Sequence, residues 1–361
     1  MKKYIPRFAR ISFLIFALSA LLYALCLNSV KLSDTVNSTA SVGVRYVLAN
    51  LTYLLPFSLF EVLIILSPLL LVLLVAVFVR RGTDARRRVR SLVSLLAVIS
   101  LILTSYIYTL GVGYHTTVLS KRIGVEDKRD ITAEELLYTT ETVLAELNAL
   151  AETVPLIENE TRMPYSADEM SKGLVSAYDA FLEKYPILTN YTSRVKPVYF
   201  STVMSDLGIS GIYSFFTGEA NVNVEYPDYC LPFTAAHEMA HQRGVGRENE
   251  ANFVAFLVCI SSDDDYIRYS GYLNMYEYLA SALYRASPEL YYEVSAKVHP
   301  SARADIRAAN AVYNLHKDSI LGKINDRLND AYLKANGTEG VVSYGYVVRL
   351  AVGYYGCDES Q

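Results

Sequence analysis

The sequence predicts a mainly α-helical membrane protein, in which three N-terminal transmembrane helices precede an α-rich (α+β) domain with a small sheet. Three observations lead to this prediction. The chain of 361 residues is 52% hydrophobic and only 19% charged. Long, nearly uncharged apolar runs are concentrated in the first third. Helical periodicity, with a short stretch of strand-forming residues, is typical of the remainder.

Three apolar runs are each long enough to cross a bilayer as a helix, which requires about 20 residues. They cover residues 11–28, 54–79 and 91–112. Basic residues precede the first run as in a signal peptide, but no small-x-small cleavage site follows, so we predict a retained anchor. We assign residues 1–114 to a membrane anchor in contact with the lipid bilayer. Glu61, near one end of the second run, either faces the interface or has a specific role.

Basic residues are unevenly distributed around these runs. Six arginines crowd the loop between the second and third runs, whereas the loop between the first and second has only Lys31 and Arg45. The positive-inside rule therefore places the N-terminus in the cytoplasm and residues 115–361 outside the cytoplasmic membrane. An arginine-rich loop can also bind nucleic acid, but this loop lies between two spans. With a net charge of -4, we expect no nucleic-acid partner.

The outer domain, residues 115–361, is expected to be mostly helical. A capping box at Thr132 and Glu135 opens an amphipathic helix that runs to about residue 151. Strand-forming residues occupy 196–201 and 215–225. Further helices are predicted over 167–184, 266–286 and 302–334.

One motif carries a specific chemistry, namely His237-Glu238-x-x-His241. Two histidines four residues apart share one helix face, so both imidazoles can reach a single metal ion. Zinc in a hydrolytic site takes three protein ligands and leaves a fourth position for water, and an adjacent carboxylate can accept the proton of that water. We predict a Zn²⁺ site with His237 and His241 as ligands and Glu238 as the catalytic base. The competing interpretation is a solvated helix face.

A second helix, from about residue 247 to 260, offers the third metal ligand. Ala251 and Ala255 share one face and are small, so this helix can lie close to the first and direct Glu248 at the histidines. Glu248 could instead stabilise a helix N-terminus, and Glu250 is the next candidate ligand. Asn252, one turn after Glu248, either orients a ligand or satisfies nearby backbone.

The segment just before the motif is a candidate substrate strand. Gly218, Glu219, Ala220 and Asn221 begin an alternating pattern, and a strand beside an active-site helix often binds substrate by backbone pairing. The alternative is an ordinary edge strand. Zinc peptidases often use a tyrosine or histidine to stabilise the oxyanion. Three residues could do so, and the sequence does not choose among them: Tyr213, His316 and Tyr344.

Four segments of the chain, among them the His237–His241 motif and the helix that follows it, resemble a bacterial membrane-protein family known as domain of unknown function 3810. The resemblance covers most of the chain and adds no substrate. The Glu248-x-x-Ala251-Asn252 element is also similar to the third-ligand helix of gluzincin peptidases, which implies a zincin-like domain with Glu248, rather than Glu250, as the ligand. The spacer between His241 and Glu248 is much shorter than in most gluzincins. The segments that carry the family resemblance are 216–223, 233–244, 248–253 and 343–345.

Two functions compete. The first is a membrane-anchored zinc-dependent metallopeptidase that hydrolyses a peptide, protein or peptidoglycan-peptide substrate on the outer side of the cytoplasmic membrane. The second is a non-catalytic membrane scaffold or sensor with a structural metal site. An open coordination position beside Glu238 would favour catalysis, and a closed four-ligand site would favour structure. Proline and aspartate just before His237 argue against an intramembrane protease.

Overall fold

The N-terminal part of the protein is a set of helices, three of which are long and apolar enough to cross a membrane. The computed structural model describes residues 5–80, 85–340 and 345–356. The sequence predictions of three apolar helices and of their approximate positions are confirmed. The N-terminal helices are α1 (Arg7–Cys26), α2 (Val30–Ser38), α3 (Ala40–Tyr53), α4 (Leu59–Arg80) and α5 (Ala85–Thr109), followed by a 3-10 helix (Gly111–His115) and α6 (Leu119–Ile123).

The three apolar helices differ in their surroundings. Helices α1 and α5 pack against each other, whereas no residue in the 18-residue apolar window of α4 is buried. The start of α4 contacts the C-terminal part of the protein at Glu219. The end of α5 contacts it at Asn336. The arginines at the start of α5 therefore lie at the opposite, distal end of that helix.

The C-terminal part is mainly helical with two small sheets. A capping box at Thr132–Glu135 starts one of the helices as the sequence predicts, and a second capping box, at Ser166–Glu169, starts another. The helices are α7 (Ala133–Ala151), α8 (Ala167–Lys184), α9 (Ser201–Asp206), α10 (Cys230–Gln242), α11 (Glu248–Ile260), α12 (Asp265–Ala286), α13 (Pro288–Ser295), α14 (Pro300–His316), α15 (Ile320–Ala335) and α16 (Val347–Tyr355). The strands are β1 (Leu156–Ile157), β2 (Glu160–Thr161), β3 (Lys196–Val198), β4 (Gly211–Ser214) and β5 (Glu219–Asn223).

The predicted helix over 302–334 is two helices. The break falls at residues 317–319, where the Ser319 side chain accepts a hydrogen bond from the backbone N–H of Leu321 and starts α15. Serine competes with the helical backbone for hydrogen bonds and therefore favours such a cap. The sequence also gave no indication of α2 and α3, which occupy the connection between the first two apolar helices.

The three-stranded sheet has the order β3-β5-β4, with β5 parallel to β3 and antiparallel to β4. All five residues of β5 are buried, and β4 is an edge strand. Helix α10 packs on β5 and β4 on one side and on α11 and α12 on the other. Ala235, Ala236 and Ala240 of α10 are completely buried, as are Ala251 and Ala255 of α11. These small side chains let the two helices approach closely.

Two carboxylates join the start of α4 to the sheet. The Glu219 carboxylate on β5 accepts hydrogen bonds from the backbone N–H groups of Leu59 (2.9 Å) and Phe60 (2.8 Å). In return, the Glu61 carboxylate accepts from the N–H groups of residues 199 and 200, at 3.1 and 2.7 Å. An anion at a helix N-terminus satisfies its free N–H groups. Glu61 thus has a specific structural role rather than only facing the interface.

Candidate metal centre

The two histidines lie on a helix that is almost entirely buried. Pro232 lies near the start of α10 and Gly244 just after its end, positions at which proline and glycine commonly start and stop a helix. Gly244 has φ +100°, a conformation that glycine adopts without strain. The His237 side chain is 12% exposed and that of His241 is 7% exposed, so both imidazoles are held by the interior and open only to one cleft.

A tight loop brings the chain back from His241 to Glu248. The His241 Nδ1 atom lies 2.8 Å from the carbonyl oxygen of Val245 within this loop. A Cβ atom on Gly246 would lie 2.4 Å from the backbone nitrogen of Tyr114, so this position accepts only glycine. The short spacer between His241 and Glu248 is therefore accommodated because the loop packs closely against the residues that follow α5.

The loop places Glu248, and not Glu250, beside the histidines. Glu248 Oε2 lies 3.2 Å from His237 Nε2 and 3.4 Å from His241 Nε2, and the two Nε2 atoms are 3.0 Å apart. Glu250 points elsewhere, because its carboxylate accepts hydrogen bonds from the backbone N–H of Leu119 and from Arg247. Of the two glutamates, only Glu248 has the geometry of a third ligand.

The spacing of these three atoms fits a tetrahedral metal ion. Zinc binds histidine nitrogen and carboxylate oxygen at about 2.0–2.1 Å, which puts the donor atoms of an ideal tetrahedron about 3.3 Å apart. The observed separations of 3.0, 3.2 and 3.4 Å bracket this value. The His241 Nδ1 contact supports the same conclusion, because a carbonyl oxygen only accepts, so Nδ1 carries a proton and Nε2 is the ligand atom.

The charges of these groups are strongly coupled. Burial by itself would raise the pKa of Glu248, but the neighbouring histidines outweigh burial and bring that pKa well below its ordinary value. Burial would lower the pKa of His241, but the Glu248 carboxylate outweighs it and raises that pKa to about 9. The metal-free centre is therefore a carboxylate facing a protonated imidazole. A cation that binds here replaces the imidazole proton.

Glu238 forms a second carboxylate at the same centre. Ligand atoms of His237, Glu238 and His241 all lie within 4.8 Å of one another, so this group could hold a metal ion. Burial raises the pKa of Glu238, partly offset by the two histidines, and its carboxylate accepts a hydrogen bond from the Tyr213 backbone N–H of β4. A Cβ atom on Gly211 would lie 2.6 Å from Glu238 Oε1. Glycine here lets the carboxylate lie against the strand.

The edge strand β4 has backbone groups free to pair. The backbone N–H of Asn223 donates to the carbonyl oxygen of Ser210 (2.8 Å), which fixes the hydrogen-bonding phase of the pair. In an antiparallel pair this phase alternates, so the backbone groups of Gly211 and Tyr213 point away from β5. The Tyr213 N–H contact with Glu238 agrees with this assignment. The free edge of β4 therefore borders the cleft beside Glu238.

Residues 218–221 were expected to bind substrate as a strand with a free edge. The structure corrects this expectation, because these residues lie at the central strand β5, whereas the free edge belongs to β4. Strand β5 is paired on both sides and cannot accept a further strand. Its polar residues serve the junction with α4 and the site loop. Glu219 binds the α4 N-terminus, Asn221 Oδ1 accepts from the Ser58 hydroxyl (2.6 Å), the Gly218 carbonyl accepts from Gln242 (2.7 Å), and Ala220 is buried.

The remaining predicted residues are distributed as follows. Asn252 borders the cleft one turn after Glu248, but its Nδ2 atom meets no hydrogen-bond partner among the described residues, so its orienting role stays a prediction. Burial raises the pKa of Tyr213, whose ring lies near Tyr191 and Arg45. His316 is bound to Asp206 at 2.8 Å, away from the centre. Tyr344 lies outside the described residues.

The centre opens into a cleft of about 620 Å³. One wall of the cleft is formed by α10 and α11, and another is formed by α15. The sequence does not predict that α15 borders the site. Asn325, Asn329 and Tyr332 of α15 lie on one helix face at intervals of four and three residues, and this polar spacing within an amphipathic helix was the available sequence signal. The other lining residues that the sequence reasoning missed are Tyr114, Asn274, Tyr278 and Asp326.

Comparison with known proteins gives one match. No curated protein and no solved structure matches the chain. A family model, described as Protein of unknown function (DUF3810), matches residues 41–352. The match begins within α3 and includes α4, α5, the sheet, the metal centre and α15. The chain therefore belongs to the DUF3810 family of proteins of unknown function.

Proposed function

We propose that this protein is a membrane-anchored, zinc-dependent metallopeptidase that hydrolyses amide bonds of peptides. The observation that carries the proposal is the triangle of His237, His241 and Glu248, with the separate carboxylate of Glu238 between this triangle and a free strand edge. A purely structural zinc site has four protein ligands and no open position. Here a buried carboxylate and a cleft lie where a fourth ligand of a structural site would be.

Each residue has a role that follows from its position. His237, His241 and Glu248 would hold the ion, which when bound supplies Lewis-acid activation of a carbonyl group and of water. Glu238 accepts a proton from the attacking water and delivers it to the leaving amine. Its raised pKa suits this task, because a base holds a transferred proton best when its pKa is nearer neutrality. The Tyr213 N–H holds the Glu238 carboxylate in place.

The free edge of β4 is the proposed binding site for an extended peptide backbone. The outward N–H and C=O groups of Gly211 and the C=O group of Tyr213 can pair with a substrate as in strand addition, while the Tyr213 N–H stays with Glu238. The Glu238 carboxylate lies against the same strand, so a paired peptide passes beside the base. A peptide, a protein segment and a peptidoglycan stem peptide all satisfy this requirement.

The membrane location is part of the proposal. Three helices are long and apolar enough to cross a bilayer. The arginines at the start of α5 lie distal to the cleft, and by the positive-inside rule this end faces the cytoplasm. The metal centre then lies on the outer side of the cytoplasmic membrane.

The decisive experiment uses the full chain purified in detergent. Wild type is incubated with a peptide library and with peptidoglycan fragments, and new termini are identified by mass spectrometry. Glu238→Gln should retain one zinc per chain and lose about 100-fold to 10,000-fold in cleavage rate. Glu250→Gln is the matched control, since it changes a buried glutamate that points away from the cleft, and it should still cleave.

Two results would contradict the proposal. Cleavage by Glu238→Gln at the wild-type rate would remove the assigned base. Stoichiometric zinc bound without any cleavage, with spectroscopy of the cobalt-substituted protein indicating four protein ligands, would favour a scaffold or sensor with a structural metal site.

A further inference from the structure

Helix α15 presents an apolar stripe to the outside of the molecule. Ile320, Leu321, Ile324 and Leu328 follow one another at intervals of one, three and four residues, so their side chains form one stripe. They are 76%, 48%, 51% and 65% exposed, respectively. Single exposed apolar residues are common on soluble proteins, but a contiguous stripe on one helix indicates a surface that something covers.

Basic residues run along one border of this stripe. Lys323, Arg327 and Lys334 are spaced by four and seven residues and are exposed. Lys323 lies 3.8 Å from Asp318, and Lys334 is paired with Asp330 at 2.7 Å. The positive charge of this border is therefore partly neutralised. An apolar face flanked by lysine and arginine is typical of helices that lie in the interface of a bilayer, where the long basic side chains reach the headgroups.

The C-terminal end of α15 touches the last turn of α5. The Tyr106 hydroxyl of α5 donates to Asn336 Oδ1, just beyond α15, at 2.6 Å. The Tyr106 and Tyr332 rings lie edge to face with centroids 6.3 Å apart. Tyr106 precedes the end of α5 by three residues, or about 4.5 Å along the helix. This end of α15 therefore lies at the level of the domain-side end of an apolar helix.

The N-terminal end of α15 is connected to the start of α4. Asn325 Nδ2 donates to the carbonyl oxygen of Leu207 (3.0 Å), just after α9. Helix α9 begins one residue after Phe200, whose N–H is held by Glu61 in the first turn of α4. The residues around this connection are also apolar and exposed: Tyr199 is 85%, Phe200 50% and Val203 49% exposed. Helix α15 is thus linked, through α9, to the domain-side end of α4, and further exposed apolar residues lie along this link.

We propose that α15 lies in the outer interface of the bilayer, with its apolar stripe among the acyl chains next to the headgroups. The proposal rests on the membrane anchorage within the proposed function. The C-terminal end of α15 contacts the domain-side end of α5, and its N-terminal half is linked through α9 to that of α4, so we place α15 along the membrane plane. A neighbouring face of the same helix lines the cleft through Asn325, Asn329 and Tyr332. The cleft therefore opens at the lipid surface and takes substrates held at that surface.

The absence of tryptophan from the sequence provides a clean test, because one introduced tryptophan is an unambiguous probe. Three single variants of the full chain are reconstituted in bilayers: Leu328→Trp on the stripe, Leu71→Trp in the middle of α4, and Tyr292→Trp on α13. The replaced side chains are similarly exposed, at 65%, 62% and 62%. Quenching by lipids brominated at shallow or deep positions is compared with quenching by aqueous acrylamide.

The inference predicts three distinct patterns. Leu328→Trp should be quenched most by shallow bromines, since an interfacial helix buries its apolar face about 5–10 Å deep. Leu71→Trp should be quenched most by deep bromines, and Tyr292→Trp by acrylamide alone. Leu328→Trp quenched by acrylamide as strongly as Tyr292→Trp would overturn the inference, because the stripe would then face water.

Failure of the anchorage gives a different result. If Leu71→Trp is not quenched by lipid, the membrane part of the proposed function is wrong, and the inference falls with it. If Leu71→Trp is quenched but Leu328→Trp is protected from both lipid and acrylamide, the stripe is covered by protein. A second copy or another partner would then occupy it, and the lipid assignment would be wrong while the anchorage stands.

Discussion

The two walls of the cleft are built in opposite ways. In α11, which carries Glu248, every residue from 248 to 259 except Asn249 is buried. In α15, which forms the other wall, Leu333 is the one buried residue among the sixteen described. The first wall packs against protein everywhere except at the cleft, whereas the second contacts protein through few buried side chains.

The two walls therefore suit two different requirements, namely metal binding and substrate recognition. Metal binding needs donor atoms held at fixed separations, and close packing of the surrounding side chains provides this. Substrate recognition tolerates a wall that moves by small amounts. A wall with few buried contacts opens at low free-energy cost. We therefore expect changes in the α10–α11 wall to affect the metal and the fold, and changes in α15 to affect binding of substrate.

The largest effect should come from Gly246→Ala, which breaks the packed wall. The new Cβ would lie 2.4 Å from the Tyr114 backbone nitrogen, and a backbone atom cannot rotate away as a side chain can. We expect a loss of about 3 kcal/mol or more in the free energy of unfolding, together with weaker zinc binding. Gly43→Ala is the control, since a Cβ there meets nothing within 4 Å. Equal melting temperatures for both variants would show that the loop is not packed as described.

The next effect separates the two neighbouring glutamates of the packed wall. Glu248→Gln removes a negatively charged donor from the triangle, so zinc affinity should fall by about 100-fold or more. Glu250→Gln should keep the wild-type affinity, although it weakens the ion pair with Arg247. Competition with a chromophoric chelator measures both variants. A larger loss of affinity in Glu250→Gln would reverse the assignment of the third ligand.

A third test concerns the helix that supports the packed wall. The Tyr229 hydroxyl, next to the start of α10, donates to Glu277 of α12 at 3.1 Å. Burial raises the pKa of Glu277 from its ordinary 4.5 to about 7. The folded chain therefore binds this proton more tightly than the unfolded chain, and the free energy of unfolding falls as the pH rises from about 4.5 to 7.

Glu277→Gln removes this titration. The variant should be more stable than wild type at pH 8 by about 1–3 kcal/mol and lack part of the decline below pH 7. Melting temperatures across the pH range provide the measurement. Identical pH profiles of the two proteins would mean that Glu277 titrates near its ordinary pKa.

The smallest effect should come from the α15 wall. Tyr106→Phe removes the hydrogen bond to Asn336 and should cost about 1 kcal/mol in unfolding free energy. Zinc affinity should stay unchanged, and KM for a cleaved peptide should rise more than kcat falls. Tyr313→Phe, at a residue that is 58% exposed, is the neutral control. A strong loss of zinc from Tyr106→Phe would contradict the separation between the walls.

The sequence predicts the parts of this protein in which the pattern is local. The apolar runs, the capping box at Thr132, and the helices that carry His237 and Glu248 follow from local spacing. The motif resemblance favours Glu248 over Glu250, and the structure supplies the physical reason. Glycines at 244 and 246 allow a return that the spacer length by itself did not predict.

Other features depend on contacts between distant segments. Alternation along residues 218–223 predicts a strand but does not identify its neighbours in the sheet. The pattern therefore cannot show that this strand, β5, is central and that β4 has the free edge. The role of Glu219 depends on the start of α4, 160 residues earlier in the chain. The contribution of α15 to the cleft is visible in the sequence only as a polar face, whose partner the periodicity does not identify.

The contact between the site loop and the residues after α5 has an evolutionary consequence. Gly246 touches Gly113 and Tyr114, so the enclosure of the metal centre includes chain that directly continues a predicted span. A catalytic module joined to its anchor by a flexible linker can be transferred to another anchor by recombination. In the anchored enzyme that we propose, the contact of Gly246 with Gly113 and Tyr114 opposes such an exchange, and release of the outer part by proteolysis is expected to disturb the centre. Anchor and centre are expected to be inherited as one unit.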